Sequence, residues 1–329
     1  MKGDSEADRS RLPAWRRLMA DYLGLVIALG LLVGVFGLAS RHFLSPTTVR
    51  TIANQIPAAL LVATAMTYVL VLGEIDLSVG AVMAFCGAVM GVFMTSTHGS
   101  LAGGLLAALA TGLACGLFNG WVTVQWRLPS FIVTLGMLEM ARGAAHAVTG
   151  SQTQYIGSAV EVIAETHFLG FSLPFMVAVG VVVVAQVVLN RTVFGRYVVA
   201  IGTNQEAVRL GGIDPRPVKL AVFAIAGLLV ALAAVIDTAR FQSANPNAGL
   251  GFELQAIAAA VIGGTSLMGG RGSVLSTFLG VLIIAVLNSG LASVGAKDET
   301  KRLVTGAVIV AAVVVDHYRH RFVRATAAA

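Results

Sequence analysis

Ten apolar stretches follow one another along this 329-residue chain, most of them close to the length that crosses a bilayer. The hydrocarbon core is about 30 Å thick, so a crossing helix needs about 20 mostly apolar residues. The clearest stretches are Tyr22–Ala39, Thr51–Leu72, Val79–Thr95, Leu101–Gln125, Phe131–Val148, Leu173–Leu189 and Val218–Asp237. Leu254–Leu267, Val274–Val294 and Leu303–Val315 follow, the first and last of these being short for a perpendicular crossing. Only 12% of the residues are charged, half of the roughly 25% that a water-facing surface requires. That excludes a soluble globule, and the 57% hydrophobic content excludes a disordered chain. Cys86 and Cys115, the only cysteines, sit inside apolar runs and read as small core residues. The pattern predicts an all-α polytopic membrane protein of about ten transmembrane helices.

The positive charges orient it. Lys2, Arg9, Arg11, Arg16 and Arg17 precede the first span; Arg191, Arg196, Arg209, Arg216 and Lys219 lie between the sixth and seventh; Arg319, Arg321 and Arg324 close the chain. With Arg127 and Arg271, fifteen of the 22 basic residues fall on one side of a ten-span layout and six on the other. The basic side is the cytoplasmic one, which predicts both termini in the cytoplasm. The organisation is then a cytoplasmic segment 1–20, one transmembrane domain 21–317 containing a cytoplasmic connection 190–217, and a tail 318–329. The first apolar run approaches 18 residues, longer than a signal-peptide core of 7–15, and reads as a retained span.

Two glycine-punctuated polar breaks interrupt the apolar pattern. One reads Gly73-Glu74-Ile75-Asp76-Leu77-Ser78-Val79-Gly80; the other runs through Gly263, Gly264, Gly269, Gly270 and Gly272. Asn119-Gly120 in the fourth span and Asn288-Ser289-Gly290 in the ninth suggest that spans two to five repeat, inverted, as spans seven to ten, an arrangement that recurs in transport proteins. Asp76 and Ser78 precede an apolar helix and suit its N-terminus. Glu74 and Asp76 are costly in an apolar medium and should face protein, water or a pathway. The glycines read as close helix approach and turns. Residues 264–269 have the opening of a phosphate-binding loop, but Gly270 stands where lysine is required, which argues against a nucleotide site. No spacing in the chain resembles a catalytic arrangement or a metal site. Glu139 and Arg142, three residues apart, are expected to pair on one helix face.

The connection from Asn190 to Pro217 is unusually long. Thr203 and Glu206 stand at capping-box spacing and Gly211-Gly212 supplies a stop, leaving room for about two turns of helix. So short a helix needs something to dock against. The stretch Glu206-Ala207-Val208 followed by Gly211 resembles the coupling segment of ABC importer permeases, whose Glu-Ala-Ala…Gly pattern inserts into the ATPase subunit; the third position departs to Val208. With Gly73–Gly80, Asn119-Gly120 and Gly263–Gly272, the chain resembles monosaccharide permeases of the ribose/xylose/arabinose type, in which glycine more often stands at the position of Glu74.

The resemblance implies a permease without a cofactor of its own, paired with a second permease chain. Two ATPase subunits that bind ATP and Mg lie beneath and an external sugar-binding protein above, in a bacterial inner membrane. It assigns coupling to Thr203, Asn204, Glu206, Ala207, Gly211, Gly212 and Ile213. The polar loop Gly150–Ser172 would receive the binding protein. A neutral, hydroxylated solute needs a weakly polar path, for which Asn54, Gln55, Asn119, Ser130 and Asn288 are candidates, each equally suited to an interhelical hydrogen bond; Glu74, Asp76 and Ser78 are candidates for the path or its gate. Two alternatives remain: a permease for branched-chain amino acids or another small solute, and a proton-coupled transporter using Glu74 and Asp76.

Overall fold

Short polar residues start the helices. Ser45, Ser100, Thr192 and Ser273 each accept a hydrogen bond from the backbone three residues on, at 3.3, 3.2, 3.1 and 3.3 Å. A computed structural model describes residues 14–96, 100–168, 170–308 and 310–311. The first helices are α1 (Ala14–Ala39), α2 (Pro46–Val71), α3 (Val79–Ser96), α4 (Leu101–Trp126) and α5 (Ser130–Thr149). A cap follows, made of β1 (Gln154–Tyr155), α6 (Glu161–Glu165) and the hairpin β2 (His167–Phe168) and β3 (Phe171–Ser172). Then come α7 (Leu173–Arg191), α8 (Val193–Leu210), α9 (Arg216–Phe241), β4 (Ser243–Ala244), which pairs antiparallel with β1, α10 (Phe252–Ile262) and α11 (Val274–Ser293). Residues 298–308 are helical.

Eight described helices are long and apolar enough to cross a membrane, and each coincides with one of the ten expected stretches. The stretch Leu254–Leu267 is different. Its helix, α10, has 11 residues and rises about 16 Å, roughly half the hydrocarbon core. Its end meets the start of α11, where Gly263 lies against Ser276, and the non-helical residues before it pack against α3, Gly249 lying against Gly80. Leu303–Val315 lies partly outside the described residues, as do the segment 1–13 and the tail 318–329.

The core forms around α2. Its best apolar window is 83% buried within the protein, whereas that of α1 is 6% buried, so α2 is the hub and α1 an outer helix. α2 packs against α7, α9, α10 and α11. Thr67 and Thr277 share a 2.8 Å hydrogen bond between α2 and α11, and the Tyr68 hydroxyl donates to the Ala185 carbonyl of α7 at 2.6 Å. α4 lies along α9, and there the backbones nearly touch. A Cβ on Gly116 would sit 2.3 Å from the Phe223 carbonyl oxygen, and one on Gly227 would sit 2.1 Å from that of Gly112. Close approach through small residues is how helices gain dispersion contacts where lipid is as apolar as leucine.

A Gly116→Leu substitution should therefore force α4 and α9 apart and lower stability by about 3 kcal/mol. Gly136→Leu, at an open position on α5, should leave stability within about 0.5 kcal/mol. Thermal unfolding of the two variants in detergent distinguishes these outcomes.

Candidate functional site

Small side chains leave a large cavity unfilled. Between α2, α9, α10 and α11, Ala59, Ala256, Ala259 and Ala285 line a space of about 670 Å³. Polar groups reach it from every side: Gln55 of α2, Arg240 at the end of α9, Gln255 of α10, Asn288 of α11, and Asp298. Phe241 and Phe252 add two aromatic rings. Asn288 accepts from Thr305 at 3.2 Å. The hydrogen bond from Lys301, at 2.8 Å, holds the Asp298 carboxyl below the usual carboxylate range. An apolar wall with a few convergent polar groups is the usual form of a small-molecule site.

Of the path candidates, Gln55 and Asn288 meet in this cavity. Asn54, next along α2, lines a smaller pocket of about 260 Å³ with Arg50 and Phe171. Gln255, Arg240, Asp298, Phe241 and Phe252 escaped the sequence reading. One signal was available: Phe252, Gln255, Ala256 and Ala259 stand at helical spacing, one face with a lone amide among alanines.

Asn119, Ser130, Glu74, Asp76 and Ser78 gather elsewhere, at the α8 end of the bundle. Residues 73–78 leave the helix there, and side chains of α5 take the place of lost helical partners. The Ile75 N–H donates to Ser130 Oγ at 3.0 Å, and the Leu77 N–H donates to Thr134 Oγ1 at 3.1 Å. Asp76, 4% exposed, accepts from the N–H and hydroxyl of Ser78 at 2.8 and 2.6 Å. Asn119 Nδ2 donates to Ser78 Oγ at 3.0 Å. Glu74 forms an ion pair with Lys219 near the start of α9, both side chains being largely buried. Arg142 departs from the expected pairing with Glu139. Its guanidinium donates instead to the carbonyls of Pro246 and Ala248 at 2.8 and 2.9 Å, fastening the loop that leads into α10.

Helix begins earlier than expected, at Val193, but α8 bends at the non-helical Asn204 (φ −159°, ψ 95°), and the piece from there to Leu210 is the expected helix of about two turns. The cap also shifts by one residue. Thr203 donates back to the Val199 carbonyl at 2.8 Å, and Asn204 Oδ1 accepts from the Ala207 N–H at 3.0 Å. Glu206 pairs with Arg209 at 2.8 Å, both well exposed. The turn through Gly211 and Gly212, the latter at φ +83°, ends the helix, with the Ile213 N–H on the Val208 carbonyl.

Three backbones meet just before that bend. The Gly270 N–H donates to the Val71 carbonyl at 2.8 Å. A Cβ on Gly202 would lie 1.9 Å from the same carbonyl oxygen, and one on Gly269 would lie 2.8 Å from the Cα of Gly73. Gly269 and Gly270 also have φ of +82° and +75°, which other residues rarely adopt. Gly264 turns the chain out of α10 at φ +82°. Gly80, Gly263 and Gly272 press against Gly249, Ser276 and Val71 respectively. The end of α2, the middle of α8 and the segment before α11 are thus joined at one point. Among the described residues no three His, Cys, Asp or Glu side chains cluster to hold a metal.

A family model described as branched-chain amino acid transport system, permease component, matches residues 48–313. The ribose import permease protein of Bacillus subtilis is 37% identical over 301 residues, which cover 89% of this chain and 92% of that one. The L-arabinose ABC transporter permease protein of Azospirillum brasilense is 33% identical over 327 residues, covering 96% and 93%. The fructose import permease protein of Rhizobium meliloti is 33% identical over 302 residues, covering 89% and 82%. No solved structure matches the chain.

Thr134→Val keeps the shape of the side chain but strands the Leu77 N–H. Stability should fall by about 1–3 kcal/mol, read as a lower detergent melting temperature.

Proposed function

The chain belongs to the family of branched-chain amino acid transport system permease components, and we propose that it is the membrane subunit of an ATP-driven importer for a monosaccharide. It is a transport component, not an enzyme. The observation that carries the substrate class is the 670 Å³ cavity, where three neutral amides and two aromatic rings, together with Arg240 and Asp298, surround a space large enough for a sugar. Each sugar hydroxyl stripped of water without a partner costs about 1–3 kcal/mol, and Gln55, Gln255 and Asn288 supply both donors and acceptors. The relatives named for ribose, arabinose and fructose import support the same class.

The α8 end faces the cytoplasm in this reading, where residues 203–213 couple to a separate ATPase subunit holding ATP and Mg. The fold supports this by exposing Glu206, Arg209 and Gly211 on a bent, capped helix while Gly202 rivets that helix to the bundle. The cap of β1, α6 and β2–β3 faces the other side and receives a sugar-binding protein. A second permease chain completes the complex in a bacterial inner membrane, with both termini cytoplasmic. α2 packs against α10 and α11, as α9 packs against α3 and α4, which supports an inverted repeat of spans two to five and seven to ten. The path runs through the cavity of Gln55 and Asn288; Glu74, Asp76, Ser78, Asn119 and Ser130 hold the broken segment that shapes its inner end, and Asn54 lies at its outer lip.

A branched-chain amino acid permease is the second reading, favoured by the family description itself. Competition of labelled ribose uptake by unlabelled sugars and by leucine separates the two. A proton-coupled mechanism has less support, since Glu74 is committed to Lys219 and Asp76 to Ser78.

Glu206→Arg reverses an exposed charge and Gly211→Trp adds bulk at an exposed turn, so both should leave the bundle intact. Each should cut ATP-dependent uptake at least about tenfold while the permease reaches the membrane in normal amount. Uptake in vesicles, with immunoblotting of the membrane fraction, tests this; unimpaired uptake would refute the coupling assignment.

A further inference from the structure

A second cavity adjoins the first. About 340 Å³ in volume, it lies between α3, α9 and the loop leading into α10, and it shares Phe241 and Phe252 with the larger space. Its walls on the helix side are small, including Ala84, Gly87 and Ala234. A Cβ on Gly87 would come within 2.9 Å of Thr238 Oγ1, so a larger residue there would crowd the chamber.

Asp237 opens into this chamber. It is partly buried and makes no hydrogen bond or ion pair with any described residue. Its electrostatic neighbour is Arg240, one turn further along α9, which lines the larger cavity on the other side of Phe241. A carboxylate held inside a helix bundle without a partner is costly and marks a functional position. Asn245 stands opposite. Its Oδ1 is occupied by the N–H of Asn247 at 2.8 Å, which leaves its amide nitrogen as a donor. Ser243 and Thr238 add hydroxyls.

This set suits a polyhydroxylated ring. A carboxylate accepts from a sugar hydroxyl, an amide N–H donates to another, and the two phenyl rings cover the apolar C–H face. It suits a metal ion poorly, since one carboxylate at the edge of 340 Å³ does not form a cage of six to eight oxygens.

We infer that Asp237 is a specificity-determining residue, whose carboxylate accepts a hydroxyl of a monosaccharide passing Phe241 and Phe252 from the larger cavity into the smaller chamber. The inference rests on the importer reading. It adds a second station to the path and a carboxylate that tells one arrangement of hydroxyls from another.

The test uses membrane vesicles carrying the complete importer and ATP. Uptake of labelled ribose, arabinose and fructose is measured first, then of each monodeoxy analogue of the best substrate, every rate being divided by the affinity of the binding protein for that compound. Asp237→Asn should lower uptake efficiency for the parent sugar about tenfold. One deoxy analogue should show the same loss with the wild-type protein and no further loss with the variant, the non-additivity expected of two groups in contact. Asp237→Glu, which keeps the charged carboxylate acceptor, should retain more uptake than Asp237→Asn. The inference is overturned if Asp237→Asn transports the parent sugar normally, or if it lowers every analogue by the same factor. It is equally overturned if the only change is loss of a sodium requirement, which would make the chamber a cation site. Wild-type vesicles that import none of the three sugars would instead overturn the importer reading, before any variant is compared.

Discussion

A peptide group that leaves a helix inside an apolar layer has no water to bond with, so non-helical backbone survives there only where the protein itself supplies partners. That constraint governs both interruptions of this bundle. Residues 73–78 persist because Ser130 and Thr134 of α5 bond the backbone of Ile75 and Leu77, while Asp76 bonds the N–H of Ser78. The segment from Gly263 to Ser273 persists because its turns close on themselves, with Ser266 N–H on the Arg271 carbonyl, and because Gly270 bonds Val71. Remove these partners and α3 and α10 lose the breaks that position them.

The two interruptions also bring the chain's ends of interest into one mechanical unit. Val71, Gly73, Gly202, Gly269 and Gly270 approach backbone to backbone, so a displacement of α8 has little soft side chain to absorb it. α2 runs away from that point, and Gln55 stands sixteen residues, about 24 Å, from Val71. α9 covers a similar route: Arg216 and Lys219 flank the cleft beside α8, and Arg240 and Phe241 line the large cavity about 36 Å away. Two packed helices therefore connect the exposed face of α8 to the polar chamber, the arrangement needed for rigid-body shifts to reach a distant site.

Particular residues show how local reasoning goes astray. Arg142 and Glu139 have the spacing of a helical ion pair, yet the loop at 246–248 brings two carbonyls within reach, and the half-buried guanidinium bonds these directly. Thr203 and Glu206 have capping-box spacing, but at Thr203 the chain is still helical. The hydroxyl therefore turns back to Val199, and Asn204, one residue on, takes the cap. In both cases the sequence rule describes an isolated helix, and a neighbour from elsewhere in the chain decides otherwise.

The amino-acid sequence by itself determined the membrane class, the positions of eight long helices, the two glycine-rich breaks and the stop at Gly211-Gly212. These depend on hydropathy and on interactions within a few residues, which are written locally. Only the tertiary structure decided that Gln55 and Asn288 share a cavity while Asn119 and Ser130 brace a turn, and that Gln255, Arg240, Asp298 and Asp237 join the first group's neighbourhood. All are polar groups in or beside apolar runs. Which of them face open space depends on how helices hundreds of residues apart in sequence pack, and on where small side chains leave a gap between them.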